Sequence, residues 1–220
     1  MPEDSTGFAE VLAALRRVRG INPFFALDVG RPDETWLPGT ALLEGPALKT
    51  TIDAIAARYN AAEPRVAASL FFLSYTARLL SPLTAADLPI DIRPENLWWQ
   101  HHPANGLSVR IDLPQLGPTA REALEPVVEA IQGVTPVARG LLWGNAMSNI
   151  AGALKMVVRA RMLTAEEAEL RGNRLMSAPP FEQAGQFLSI PGELGFLRRS
   201  CCLYYRVAAG GKCGDCPLVK

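Results

Sequence analysis

The residues with the clearest capacity for chemistry are four cysteines near the end of the chain. The 220-residue sequence has no cysteine before position 201, and its cysteines are Cys201, Cys202, Cys213 and Cys216. Cys213 and Cys216 form a Cys-x-x-Cys knuckle, a spacing that lets two thiolates converge on one metal ion. The Cys-x-x-Cys spacing also occurs in redox dithiols. Redox dithiols precede a helix in a βαβ unit, however, whereas Pro217 follows Cys216 in this sequence. A metal centre is therefore the favoured interpretation.

The other two cysteines indicate which metal centre this is. Cys201 and Cys202 are adjacent, and adjacent side chains in an extended chain point to opposite faces. A tetrahedral zinc site usually takes its thiolates from two knuckles, which this pair does not match. A [2Fe–2S] cluster spreads four thiolates over two irons and constrains their spacing less. The pattern therefore favours a [2Fe–2S] cluster bound by all four cysteines, with structural zinc as the alternative.

The charges near the cysteines differ from those of the chain as a whole. Twenty-two basic residues balance twenty-two acidic ones, so no overall field draws the protein to nucleic acid or anionic lipid. The last 23 residues, however, carry five basic residues against Asp215 alone: Arg198, Arg199, Arg206, Lys212 and Lys220. A cluster of two Fe³⁺, two sulfides and four thiolates has charge −2 and becomes −3 on reduction. These cations are therefore expected to favour the reduced state and to attract an anionic ligand.

The rest of the sequence predicts an α+β fold, with a mainly helical body, a small β-hairpin and a C-terminal four-cysteine segment. We predict a body over residues 1–176, with a hairpin near 96–113 that turns at Asn105-Gly106, and a cluster-binding segment over 177–220. Thr119 and Thr164 begin capping boxes, and Thr135 with Pro136 is expected to start a long helix. Prolines 179, 180 and 191 are expected to break regular structure. Helices are predicted over 7–19, 47–59, 64–80, 119–131, 137–162 and 164–175, and a short strand over 24–27.

Two segments together resemble a known family. The spacing Cys-Cys-x10-Cys-x2-Cys, read here as CCLYYRVAAGGKCGDC, and the run Arg139-Gly-Leu-Leu-Trp-Gly-Asn145 resemble the FhuF-like ferric-siderophore reductases. The resemblance implies a cytoplasmic [2Fe–2S] protein that passes one electron to the Fe³⁺ of an imported siderophore, often of hydroxamate type. Hard oxygen donors bind Fe³⁺ better than Fe²⁺, so reduction would release the iron. Because the sequence has no glycine-rich nucleotide motif, the electron is expected from an external reductase, ferredoxin or thiol.

Fewer residues of the sequence indicate where a substrate would bind. We expect a pocket between the cysteines and the helix that begins near Pro136, with Trp143 and Asn145 facing it and with Arg199 and Arg206 attracting the ligand. The rival hypothesis is a non-enzymatic module with structural zinc and a partner-binding basic tail. Neither a signal sequence nor a transmembrane segment is expected, and the apolar run Val66–Leu80 is predicted to be a buried helix. His101-His102 is expected to be a polar pair at the hairpin.

Overall fold

The computed structural model describes residues 4–44, 46–102 and 106–219 and confirms the mainly helical α+β class. The predicted Asn105-Gly106 turn lies partly outside the described residues. The six α-helices of the described chain are α1 (Asp4–Arg19), α2 (Ala47–Tyr59), α3 (Pro64–Ala86), α4 (Ala120–Val134), α5 (Arg139–Arg159) and α6 (Ala165–Met176). Its six strands are β1 (Asp28–Val29), β2 (Leu37–Pro38), β3 (Leu97–His102), β4 (Gly106–Ile111), β5 (Gly185–Ile190) and β6 (Glu193–Arg198).

The core is built around α3, which packs along α5. The helix α3 carries apolar side chains on all of its faces, and a helix of that composition is stable only when other elements cover every face. Its length and hydropathy would suffice to cross a membrane, but 78% of its most apolar window is buried inside the fold. Phe71, Phe72 and Tyr75 are fully buried there. The prediction of a buried helix is confirmed, and the helix runs on to Ala86.

Local sequence signals account for most helix starts. Both predicted capping boxes are present: the hydroxyls of Thr119 and Thr164 accept hydrogen bonds from the backbone amides of Glu122 and Glu167. Thr135 was predicted wrongly as the start of α5, because it terminates α4 and α5 begins only at Arg139. Pro126 lies inside α4, which continues to Val134.

A four-stranded sheet covers one side of the helical core, with strand order β1-β4-β3-β2. The predicted hairpin is β3 and β4, paired antiparallel from Leu97 opposite Ile111 to His102 opposite Gly106. The strand expected at 24–27 is wrong: residues Pro23–Phe25 form a 3₁₀ turn, and the strand that follows, β1, pairs parallel with β4.

The largest departure from the sequence prediction is a second hairpin after α6. Residues expected to be irregular form β5 and β6, paired antiparallel, and Pro191-Gly192 is the turn between them. Gly192 has φ +71°, a left-handed conformation that glycine adopts without strain. The hairpin packs on α5 and α6 and adds Phe187 and Phe196 to the main hydrophobic core. The hairpin ends at Arg198, three residues before Cys201.

Candidate metal centre

The cysteines lie in an irregular stretch, here called the cysteine segment (residues 199–219), that follows β6. It contains one 3₁₀ turn, Tyr204–Arg206, preceded by Leu203 in the left-handed conformation with φ +65°. Gly210 is needed for close approach, because a Cβ there would collide with the carbonyl of Tyr204. Gly214 lies inside the Cys213–Cys216 turn, and a Cβ there would meet nothing within 4 Å. That turn is closed by the Cys216 amide, which donates to the Cys213 carbonyl at 3.1 Å.

A chain of buried polar contacts fastens this segment to α3 and α5. The Ser69 hydroxyl of α3 donates to the Cys202 carbonyl at 2.7 Å. The Asn145 amide of α5 donates to the Ser69 carbonyl and to the Ser69 hydroxyl, both at 3.0 Å, and Asn145 Oδ1 accepts from Arg198 Nη2. Ser69, Asn145 and Arg198 are all at most 1% exposed. We call these three residues the buried seat of the cysteine segment.

The helix α5 is shaped to receive the segment. A Cβ at Gly144 would collide with Ser200 Oγ and lie 3.6 Å from Arg198 Nη2, so glycine lets the residues before Cys201 approach the helix closely. One turn further along α5, the Ser148 hydroxyl donates to the Asp215 carboxylate. The Arg198 amide donates to the Asp215 carbonyl at 3.0 Å, which ties the end of β6 to the knuckle.

The four thiols are grouped in two pairs. Cys202 Sγ and Cys213 Sγ are 3.8 Å apart, which leaves Cys201 and Cys216 as the second pair. The backbone amide of Leu203 also donates to Cys201 Sγ at 3.3 Å. Each pair therefore joins one of the adjacent cysteines to one cysteine of the knuckle. All four are free cysteines.

This arrangement is compatible with a two-iron cluster. A [2Fe–2S] cluster takes two pairs of thiolates, and Cys202 and Cys213 lie close enough to form one of them. Two buried polar atoms at the start of the segment, Arg198 Nε and Ser200 Oγ, have no hydrogen-bond partner among the described residues. The sulfurs of a bound cluster are hydrogen-bond acceptors that would offer these atoms a partner.

The environment of Cys201 and Cys213 disfavours the thiolate forms of these two side chains. Burial raises the pKa of the Cys201 thiol, and the neighbouring Cys202 and Cys216 add to the rise. Burial also raises the pKa of the Cys213 thiol, with further contributions from Cys202 and from the Asp215 carboxylate. Metal ligation must therefore displace protons from these side chains.

The arginines predicted to attract a ligand have separate environments. Arg199 is exposed, and its backbone amide donates to the Ala184 carbonyl at 3.0 Å. Arg206 forms an ion pair with Glu63 and stacks over the Tyr205 ring at 5.7 Å. Arg206 and then Arg65 hold the pKa of Glu63 below its usual range. Arg206 thus shares its carboxylate partner, Glu63, with Arg65.

Trp143 and Asn145, expected to face a substrate pocket, are interior residues. Trp143 is 5% exposed and makes edge-on ring contacts with Phe72 and Phe181. Asn145 is the centre of the buried seat. The contacts of the Trp-Gly-Asn run therefore position the cysteine segment, a role that sequence reasoning missed because the partner residues lie 53 and 76 positions away.

Two cavities adjoin the cysteine segment on either side of its 3₁₀ turn. One, of about 440 Å³, lies between Leu203 and the start of α5, where the pocket was expected, and it includes Pro136, Leu141 and Arg65. The other, of about 320 Å³, includes Tyr204 and three basic side chains, Arg58, Arg78 and His101, and no acidic residue among those that line it. We call the second one the Tyr204 cavity. Burial, followed by the charge of Arg58, lowers the pKa of His101.

Comparison with known proteins agrees with this geometry. The family model described as the FhuF 2Fe-2S C-terminal domain matches residues 198–218, which span all four cysteines. A search of curated proteins and a search of solved structures each found no match. The resemblance to the FhuF family is confirmed for this segment, and its cofactor is a [2Fe–2S] cluster. The chain thus carries an iron–sulfur segment of the FhuF 2Fe-2S type at residues 198–218.

Proposed function

We propose that the protein is a cytoplasmic ferric-siderophore reductase. The observation that carries the proposal is the pairing of four thiols within a segment that matches an FhuF 2Fe-2S domain. When bound, such a cluster supplies one electron, which converts chelated Fe³⁺ to Fe²⁺ and lowers its affinity for hard oxygen ligands. The four cysteines, free rather than joined in disulfides, suit a reducing compartment.

The protein's own residues contribute placement and access. The buried seat holds the Cys202 backbone against α3, while Cys201 and Cys213 remain partly exposed. Electron exchange with an external donor and with a chelate both require such access. The donor is a separate reductase, a ferredoxin or a small thiol, as the sequence predicted.

The Tyr204 cavity is the better of the two neighbouring cavities for an oxygen-rich or anionic chelate. Two of its lining side chains, Arg58 and Arg78, are arginines, whose positive charge attracts an anionic ligand. Tyr204 belongs to the cysteine segment and contacts Tyr59 of α2 edge-on, with ring centroids 6.4 Å apart. A cavity of about 320 Å³ admits one arm of a siderophore rather than the whole complex.

The decisive experiment is single-turnover reduction. The anaerobically purified, dithionite-reduced protein is mixed with a ferric hydroxamate or a ferric catecholate in the presence of a colorimetric Fe²⁺ chelator. We expect cluster bleaching to reverse with the appearance of one Fe²⁺ per cluster. In Arg78→Gln, the chelate concentration that gives the half-maximal rate should rise at least threefold, while the visible spectrum stays unchanged. A protein that carries its cluster but reduces neither chelate would overturn the proposal.

A further inference from the structure

Arg198 is a buried cation that forms no ion pair within the described residues. It ends β6 and is 1% exposed. Its guanidinium donates to Asn145 Oδ1, a neutral amide oxygen, and its Nε has no hydrogen-bond partner in the described part of the chain. The nearby carboxylate of Asp215 instead accepts from Ser148.

Such an arrangement is unfavourable unless a further group completes it. Arginine stays protonated in proteins, so Arg198 cannot avoid the cost of burial by becoming neutral. An unpaired buried charge destabilises a fold by several kcal/mol. A negative partner that is absent from the polypeptide would remove this cost.

The position of Arg198 identifies where that partner binds. Its backbone amide donates to the carbonyl of Asp215, the residue before Cys216. Its side chain reaches Asn145, which bonds Ser69, whose hydroxyl donates to the Cys202 carbonyl. Arg198 is therefore connected to both halves of the ligand set, and the unpartnered hydroxyl of Ser200 lies in the same region beside Gly144.

We propose that Arg198 is the buried counter-ion of the [2Fe–2S] cluster. The cluster's charge is −2 when oxidised and −3 when reduced, so a fixed buried cation stabilises both states and stabilises the reduced one more. Arg198 then has two roles: it raises the reduction potential, and it makes cluster loading favourable for the fold. The proposal rests on the cofactor and not on the identity of the electron acceptor.

The first test is a redox titration followed by visible absorbance. In Arg198→Gln, the ratio of reduced to oxidised cluster at a fixed potential should fall about tenfold, which is about 59 mV for one electron. The matched control is Arg199→Gln, which removes the same charge from an exposed neighbour and should change the ratio less than threefold. Arg198→Lys, which keeps the charge, should recover most of the loss. Equal shifts in the Arg198→Gln and Arg199→Gln proteins would overturn the proposal.

The second test separates a counter-ion from a merely structural side chain. Melting temperatures of Arg198→Met and the wild type are measured by circular dichroism, each with and without the cluster. We expect the metal-free variant to melt no lower than the metal-free wild type, because the unpaired charge is gone. The loaded variant should melt lower than the loaded wild type. An equal loss in both forms, or a metal-free variant that does not fold, would show that Arg198 acts only through packing.

Discussion

The side chains of the adjacent residues Cys201 and Cys202 point in different directions, so each belongs to a different thiol pair. In this protein the Cys202 thiol approaches the Cys213 thiol, and Cys201 and Cys216 remain as the other pair. Leu203, with φ +65°, turns the chain immediately afterwards. The Cys201-Cys202 dipeptide and the Cys213–Cys216 knuckle can thus bind two irons without the repeated Cys-x-x-Cys geometry that zinc favours.

This pairing predicts which cysteines share an iron. Serine is a harder ligand than cysteine, so each Cys→Ser change perturbs chiefly the iron to which it is bound. Cys202→Ser and Cys213→Ser should give similar Mössbauer and paramagnetic resonance spectra in the reduced state. Cys201→Ser and Cys216→Ser should form a second, distinct group. Spectra that group Cys201 with Cys202 would contradict the pairing.

At the scale of elements, α5 contacts the cysteine segment directly through the Ser148–Asp215 hydrogen bond and reaches Cys202 indirectly, through Asn145 and Ser69. Asn145 connects α5 to α3 and to Arg198, whereas Asn149, one turn later, connects α5 to α3 alone, through the Leu73 carbonyl at 2.9 Å and the Thr76 hydroxyl at 2.8 Å. The two asparagines make the same kind of interhelical contact. Only one of them also holds the ligands.

That difference gives a matched pair of variants. Asn145→Ala and Asn149→Ala should each destabilise the protein by about 1–3 kcal/mol, because each leaves buried groups without partners. Asn145→Ala alone should also lower the iron content, because Arg198 and Ser69 lose their common partner. Iron analysis alongside thermal unfolding checks this. Equal iron retention in the two variants would mean that the buried seat does not position the ligands.

The elements also show where sequence reasoning works. Thr119 and Thr164 bond to residues three positions away, and such local signals predicted the starts of α4 and α6. The β5–β6 hairpin was missed because Pro191-Gly192 suits a turn between strands as well as a break in structure. Asn145 was misplaced in the expected pocket because a polar residue in an apolar helix gives no indication of its distant partners. The four cysteine ligands, in contrast, could be predicted from their spacing in the sequence alone.

At the scale of the whole molecule, most of the core lies outside the cysteine segment. α3 and α5 form its centre, and the segment adds only Leu203 and Val207 to the main hydrophobic cluster. The helices should therefore not depend on iron for their existence, unlike those of a zinc finger.

Loss of the cluster is thus expected to leave a folded body. Cys213→Ser should lose most of its iron and visible absorbance while its far-ultraviolet circular dichroism stays within about a tenth of the wild-type signal. A lower melting temperature is expected, because Arg198 is left unpaired. Iron content and circular dichroism of the same preparation decide the matter, and collapse of the helical signal would show that the cluster organises the entire fold.

The two thiol pairs are nested along the chain, and this has a consequence for assembly. Cys202 and Cys213 enclose ten residues, and Cys201 and Cys216 lie outside them. Closing the inner ring costs about 0.3 kcal/mol less chain entropy than closing the outer one, and once it is closed the outer two thiols are held at high effective concentration. Chain entropy therefore gives a small preference for ligation from the inner pair outwards and for dissociation that starts at the outer pair. The order in which the thiolates engage follows from their positions along the chain, without any difference in intrinsic affinity.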